Sequence, residues 1–149
     1  MSLQQQVMDA MKTAMKGKDT VALQALRAVK SGILLAQTES GAKETISEAE
    51  ELKLLQKLVK QRKDSAAIYI EQGRTDLAEP ELAEAAVIEQ FLPEQLSEEE
   101  VAKIVNEIIA QTGATSMKDM GKVIGMANSR LAGKADGKTI ATVVKSRLS

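Results

Sequence analysis

The sequence predicts an all-α protein, with a four-helix N-terminal domain (1–93) followed by a compact three-helix C-terminal domain (94–149). Three observations carry this. Apolar residues recur at three- and four-residue steps through nearly the whole chain, no segment sustains β alternation, and only two prolines interrupt the pattern. With 149 residues, 44% apolar and 28% charged, the chain has globular composition and length for one medium domain or two small ones.

The first helix runs from about Leu3 to Met15 on Val7, Met8 and Met11 and stops at Gly17. The second starts near Asp19, carries Leu23, Leu26, Val29 and Ile33, and fades at the Ser40-Gly41 turn. Ser47 followed by Glu50 is a capping box, opening a long third helix through Leu55, Val59, Ala66 and Tyr69 to Gly73. A fourth occupies roughly Asp76 to Leu92. Phe91-Leu92-Pro93 ends it, because a residue before proline is pushed out of the helical region, and marks the domain boundary. Ser97 with Glu100 is a second capping box, ahead of a stripe of Val101, Ile104, Val105 and Ile108. Ser116 with Asp119 opens the sixth helix, and Asp136 is the N-cap of the last. Met8, Met11, Met15, Met117 and Met120 are expected as adaptable core filling.

Cysteine and histidine are both absent, which excludes thiol nucleophiles, imidazole bases, disulfides and the common zinc sites. No basic segment leads into an apolar run, and no stretch approaches the roughly 20 apolar residues needed to cross a bilayer. A soluble, cytoplasmic protein without a membrane partner is expected. Net charge is only −1 but unevenly spread. From Glu94 through Thr115 five acidic residues face one lysine, a balance of −4. From Ser116 to Ser149, Lys118, Lys122, Arg130, Lys134, Lys138, Lys145 and Arg147 stand against Asp119 and Asp136, a balance of +5.

Within that basic segment, Gly121 and Gly125 lie inside a helix, each at a cost of about 1 kcal/mol relative to alanine. At 100° per residue Met120, Ile124, Ala127 and Leu131 face the core, while Gly121, Gly125 and Ala132 point away beside Lys118, Lys122 and Ser129. In the last helix Ile140, Val143, Val144 and Leu148 form the core stripe, and Lys138 and Lys145 share another face. Between the two lies Gly133-Lys134-Ala135-Asp136-Gly137. Lysines supply charge, glycines admit a close approach, and the N–H groups of a helix start supply donors: together, a phosphate-backbone site. The plain alternative is that Gly121 and Gly125 let helices pack closely, with Gly133 and Gly137 as cap and turn residues. Flanking lysines and Asp119 rule out a membrane GxxxG dimer.

On the third helix Lys53, Lys57 and Lys60 form a solvated face, whereas Arg62 projects on the apolar side and is expected to pair with a carboxylate of the fourth helix. A catalytic or ligand role for Arg62, Asp64 or Arg74 is the lesser alternative. One Tyr, one Phe and no Trp leave no platform for stacking bases, so any RNA is met through its backbone.

Lys60-Gln61-Arg62-Lys63-Asp64-Ser65, Gly73-Arg74 with Asp76-Leu77, Phe91-Leu92-Pro93-Glu94-Gln95-Leu96, Asp119 to Gly125 and Ala135-Asp136-Gly137 together resemble the YqeY family. From about Ser97 the chain also resembles the tail domain of the GatB subunit of aspartyl/glutamyl-tRNA amidotransferase. The resemblance implies an all-helical fold ending in a GatB-tail-like domain. In that enzyme the tail engages the elbow of tRNA, while kinase and glutaminase chemistry reside elsewhere. RNA contact is therefore implied for the matching positions Gly121, Lys122, Gly125, Gly133, Ala135, Asp136 and Gly137. Ile124 stands where the family often has methionine, a packing change.

The expectation is a non-catalytic tRNA-binding accessory protein that docks on tRNA backbone through its C-terminal domain. Its contacts are the implied positions together with Lys118, Lys134, Lys138 and Lys145. Its N-terminal bundle is left for a second partner such as an aminoacyl-tRNA synthetase or amidotransferase. No catalytic residue, metal or cofactor is expected. An adaptor whose glycine strip receives a partner helix is the alternative; Gly125→Ala would then weaken a protein complex and leave RNA affinity unaltered. The family label would be a carbon–nitrogen ligase with glutamine as amido donor. The sequence has no nucleotide-binding Gly-rich loop after a strand, no metal-ligand cluster and no serine–lysine nucleophile arrangement to support it.

Overall fold

The computed structural model describes residues 2–39, 41 and 46–149. Among them are seven α-helices and no strand. The chain divides into two compact units, Met1–Leu92 and Pro93–Ser149.

The first unit holds α1 (Leu3–Lys16), α2 (Thr20–Glu39), α3 (Glu48–Glu71) and α4 (Thr75–Glu89). Ser2 starts α1 by accepting the Gln5 N–H at 3.1 Å, and Asp19 starts α2 by accepting the Ala22 N–H at 3.0 Å. Between them Lys18 is left-handed at φ 55°, a conformation costing a non-glycine residue roughly 1 kcal/mol. Ser40 lies outside the described residues. Ser47 caps α3 through the Glu50 N–H at 3.2 Å, while the Glu50 carboxylate takes the Ser47 hydroxyl instead of completing the box. α4 runs through Pro80, which has no N–H for the Asp76 carbonyl, and it ends before Leu92. There the chain tightens into i→i+3 bonds, Phe91 N–H to Ile88 and Leu92 N–H to Glu89.

The core of this unit joins Val7 and Ala14 to Leu26, Val29, Ile33, Leu55, Val59 and Ile88. Each large aliphatic side chain there contributes about 1.5–3 kcal/mol. The methionine expectation needs correction: of the five, Met8 and Met15 are exposed, as is Met117 in the second unit, while Met11 and Met120 pack against a core. On α1 the buried stripe is Leu3, Val7, Ala10, Met11 and Ala14, which turns Met8 and Met15 outward.

Arg62 has its α4 partner. Its Nε lies 3.5 Å from Glu84 Oε1, with both side chains largely buried, and its Nη1 donates to the Leu58 carbonyl at 3.1 Å. Asp64 pairs with Lys60 at 3.0 Å. The Arg74 fork grips Asp76 at 3.1 and 2.9 Å, which holds the Asp76 carboxyl below its ordinary range.

The second unit holds α5 (Glu98–Thr112), α6 (Met120–Arg130) and α7 (Gly137–Leu148), packed pairwise about Val105, Ile108, Val123, Ala127, Leu131, Ile140 and Val144. Ser97 and Glu100 form a complete capping box on α5, which ends at left-handed Gly113. Ser116 makes no cap. Instead Met117–Asp119 form a 3-10 turn, and Asp119 reaches back to the Thr115 N–H at 3.1 Å. Asp136 caps α7 through the Thr139 N–H at 2.6 Å.

Candidate nucleic-acid interface

The buried side of α6 is Val123, Ala127 and Leu131, with Met120 and Ile124 partly buried. This phase turns Gly121 and Gly125 outward, one helical turn apart, and both are exposed. A Cβ built on either would meet nothing within 4 Å, and neither has a positive φ. Gly32 of α2 is the contrast, since a Cβ there would stand 2.7 Å from Leu54 Cδ1. Packing accounts for Gly32. Nothing among the described residues packs where a Cβ of Gly121 or Gly125 would stand, so the close-packing alternative fails for them within the described chain.

The two glycines floor a shallow groove of about 510 Å³, lined also by Lys122, Met126, Ser129 and Arg130. The Ser129 hydroxyl bonds the Gly125 carbonyl at 3.3 Å, and Arg130 reaches Glu107 at 2.9 Å from an exposed position. Met126 and Arg130 were not among the expected site residues. Their signal was spacing, since they follow Lys122 by four and eight residues along one ridge.

Lys122 sits in the first turn of α6, Lys138 in the first turn of α7, and Lys118 in the 3-10 turn that leads into α6. The positive end of a helix dipole disfavours a cation there, and Asp119 and Asp136 at the N-caps just ahead offset that cost. Lys118, Lys122, Lys134, Lys138 and Lys145 are all exposed, and none is ion-paired among the described residues.

The α6–α7 turn needs correction. Gly133 and Ala135 are buried, so neither offers a contact surface. Gly133 has φ 76° and allows the turn closed by the Lys134 N–H on the Leu131 carbonyl at 2.8 Å, while Ala135 belongs to the core. Gly137 is exposed at the start of α7, but the Asp136 carboxylate already occupies that helix end. A phosphate would meet a fixed negative charge there, so the donors of the α7 terminus drop out of the site. Gly121, Lys122 and Gly125 share the groove; Lys118, Lys134, Lys138 and Lys145 are separate exposed cations of the same unit.

Among the described residues no cluster of His, Cys, Asp or Glu could hold a metal ion, and no helix is long and apolar enough to cross a membrane.

Comparison with known proteins gives a match to the family model described as Yqey-like protein over residues 4–148. A glutamyl-tRNA(Gln) amidotransferase subunit of Thermococcus gammatolerans is 38% identical over 73 residues, which is 46% of this chain and 12% of that relative. Altered inheritance of mitochondria protein 41, mitochondrial, of Meyerozyma guilliermondii is 33% identical over 131 residues, covering 81% of this chain and 68% of the relative. The protein of the same name from Clavispora lusitaniae is 35% identical over 120 residues, 76% and 69% respectively.

Proposed function

This chain belongs to the Yqey-like protein family, and from that premise we propose that it is a non-catalytic RNA-binding accessory protein whose α6 face docks on the sugar-phosphate backbone of tRNA. The observation that carries the reading is the bare α6 strip: two helix glycines with open space where their Cβ atoms would stand, edged by Lys122, which has no ion pair among the described residues. Alanine at both positions would serve folding better. A departure from a local rule that no packing demand within the unit explains is the mark of a functional site. A polyanion ridge explains it, because it needs cations and a close approach to backbone. The match to an amidotransferase component whose name carries a tRNA supplies the RNA class, and the scarcity of aromatic residues favours backbone over base contacts. The protein-partner role of the first unit, with a synthetase or amidotransferase, belongs to the same proposal.

The test is fluorescence anisotropy of labelled tRNA titrated with the chain at several salt concentrations. Five phosphate contacts give a log–log slope of about −4 to −5 on duplex RNA-like backbone, with modest affinity at physiological salt. A flat signal at low salt, or binding indifferent to salt, would refute the reading.

A further inference from the structure

The segment Phe91-Leu92-Pro93-Glu94-Gln95-Leu96 stands out in the sequence and has no part in the docking surface. Its second half lies as a strap against the α6–α7 turn. The Gln95 carboxamide nitrogen donates to the Gly133 carbonyl at 2.6 Å and to the Pro93 carbonyl at 2.8 Å. The next residue continues the pattern, with the Leu96 N–H on the Lys134 carbonyl at 2.9 Å. Two successive carbonyls of the turn are thus held by two successive residues of the strap, across 38 positions of sequence. Lys134 is consequently bonded at both ends of its backbone, its N–H to Leu131 and its carbonyl from Leu96. Its side chain remains exposed, with no ion pair among the described residues. A long lysine on a free turn would sample many directions; one fixed on both sides points in few, and less ordering entropy is lost on contact with a phosphate.

We propose that Gln95 is a positioning residue, which through Gly133 and Leu96 sets the conformation of the 131–136 turn and so the direction from which Lys134 meets RNA. Its functional consequence rests on the RNA reading above. Its structural half stands on the hydrogen bonds alone. Glutamine is suited to the place because its amide presents two N–H groups to two carbonyls. Glutamate would set a carboxylate against both, and methionine would keep the length and lose both donors.

Amide exchange by NMR and tRNA titration of Gln95→Met, Lys134→Ala and the double variant test this. In Gln95→Met the Leu96 and Lys134 amides are expected to exchange on the order of tenfold faster, with the Val105 amide of α5 unchanged. Affinity for tRNA should fall by roughly three- to tenfold, and the double variant should bind no more weakly than Lys134→Ala. Unchanged exchange at Leu96 and Lys134 would overturn the proposal, and so would losses that simply add, since a general structural defect adds where a positioning effect does not. If the wild-type chain fails to bind tRNA, the RNA reading falls, and the exchange ratio by itself still decides whether the strap controls the turn.

Discussion

Replacing Lys118, Lys122 and Lys138 together by glutamate is expected to lower tRNA affinity on the order of 100-fold or more at low salt and to flatten the salt slope by about three. The same variant should melt close to the parent. All three ammonium groups are exposed and without an ion pair among the described residues, so no described ion pair is lost. Asp119 and Asp136 already stand at the two N-caps, so the helix-dipole gain of Lys122→Glu and Lys138→Glu is offset by an acid close by, and stability should stay within about 0.5 kcal/mol of the parent. Affinity is expected to fall while stability holds, so a loss of binding cannot be ascribed to unfolding. Anisotropy titrations beside thermal melts of the same samples check both halves. Retained binding would remove these lysines from the site.

Converting Gly121 and Gly125 together to alanine is expected to stabilise the free chain by about 1 kcal/mol or somewhat more, since Gly125 lies in the interior of α6, where a glycine gives up about 1 kcal/mol, while Gly121 lies in its first turn. Open space at both Cβ positions leaves no clash to offset the gain. A shift of several degrees in the melting temperature follows, because 1 kcal/mol moves a small domain by roughly 4–8 °C. The stabilised variant should bind tRNA several-fold more weakly, as two methyl groups hold the phosphate ridge off the helix backbone. Intact RNA affinity with loss of a protein partner would instead favour a strip that receives a helix. No gain in stability would mean that the glycines serve the fold in some other way.

Helix type was legible in the sequence because the signals were redundant: periodic apolar stripes agreed with caps at Ser47, Ser97 and Asp136. Arg62 was legible for a related reason, since a cation on an apolar stripe has to find a carboxylate, and Glu84 of α4 supplies it. Phase was less legible. Met117, expected at the start of the sixth helix, belongs to a 3-10 turn ahead of it. Val123, left out of the expected stripe, is at the centre of the core, while Met117 is exposed. Gly133 and Ala135 share a motif with exposed neighbours, and sequence gives no means of separating a turn's inner carbonyls from its outer side chains. The role of Gln95 was hidden for a different reason, because its partner lies 38 residues away and only the fold brings the two together.

Titration of isotope-labelled chain with tRNA, followed amide by amide, tests the α6 docking face most directly, because glycine amides resolve well in nitrogen–proton spectra. The largest shifts are expected at Gly121, Lys122 and Gly125 of α6, with smaller ones at Lys118, Lys134 and Lys138 and none in the α1–α4 cores. Shifts confined to the first unit, or an α6 face that stays silent while tRNA binds, would contradict docking through that face.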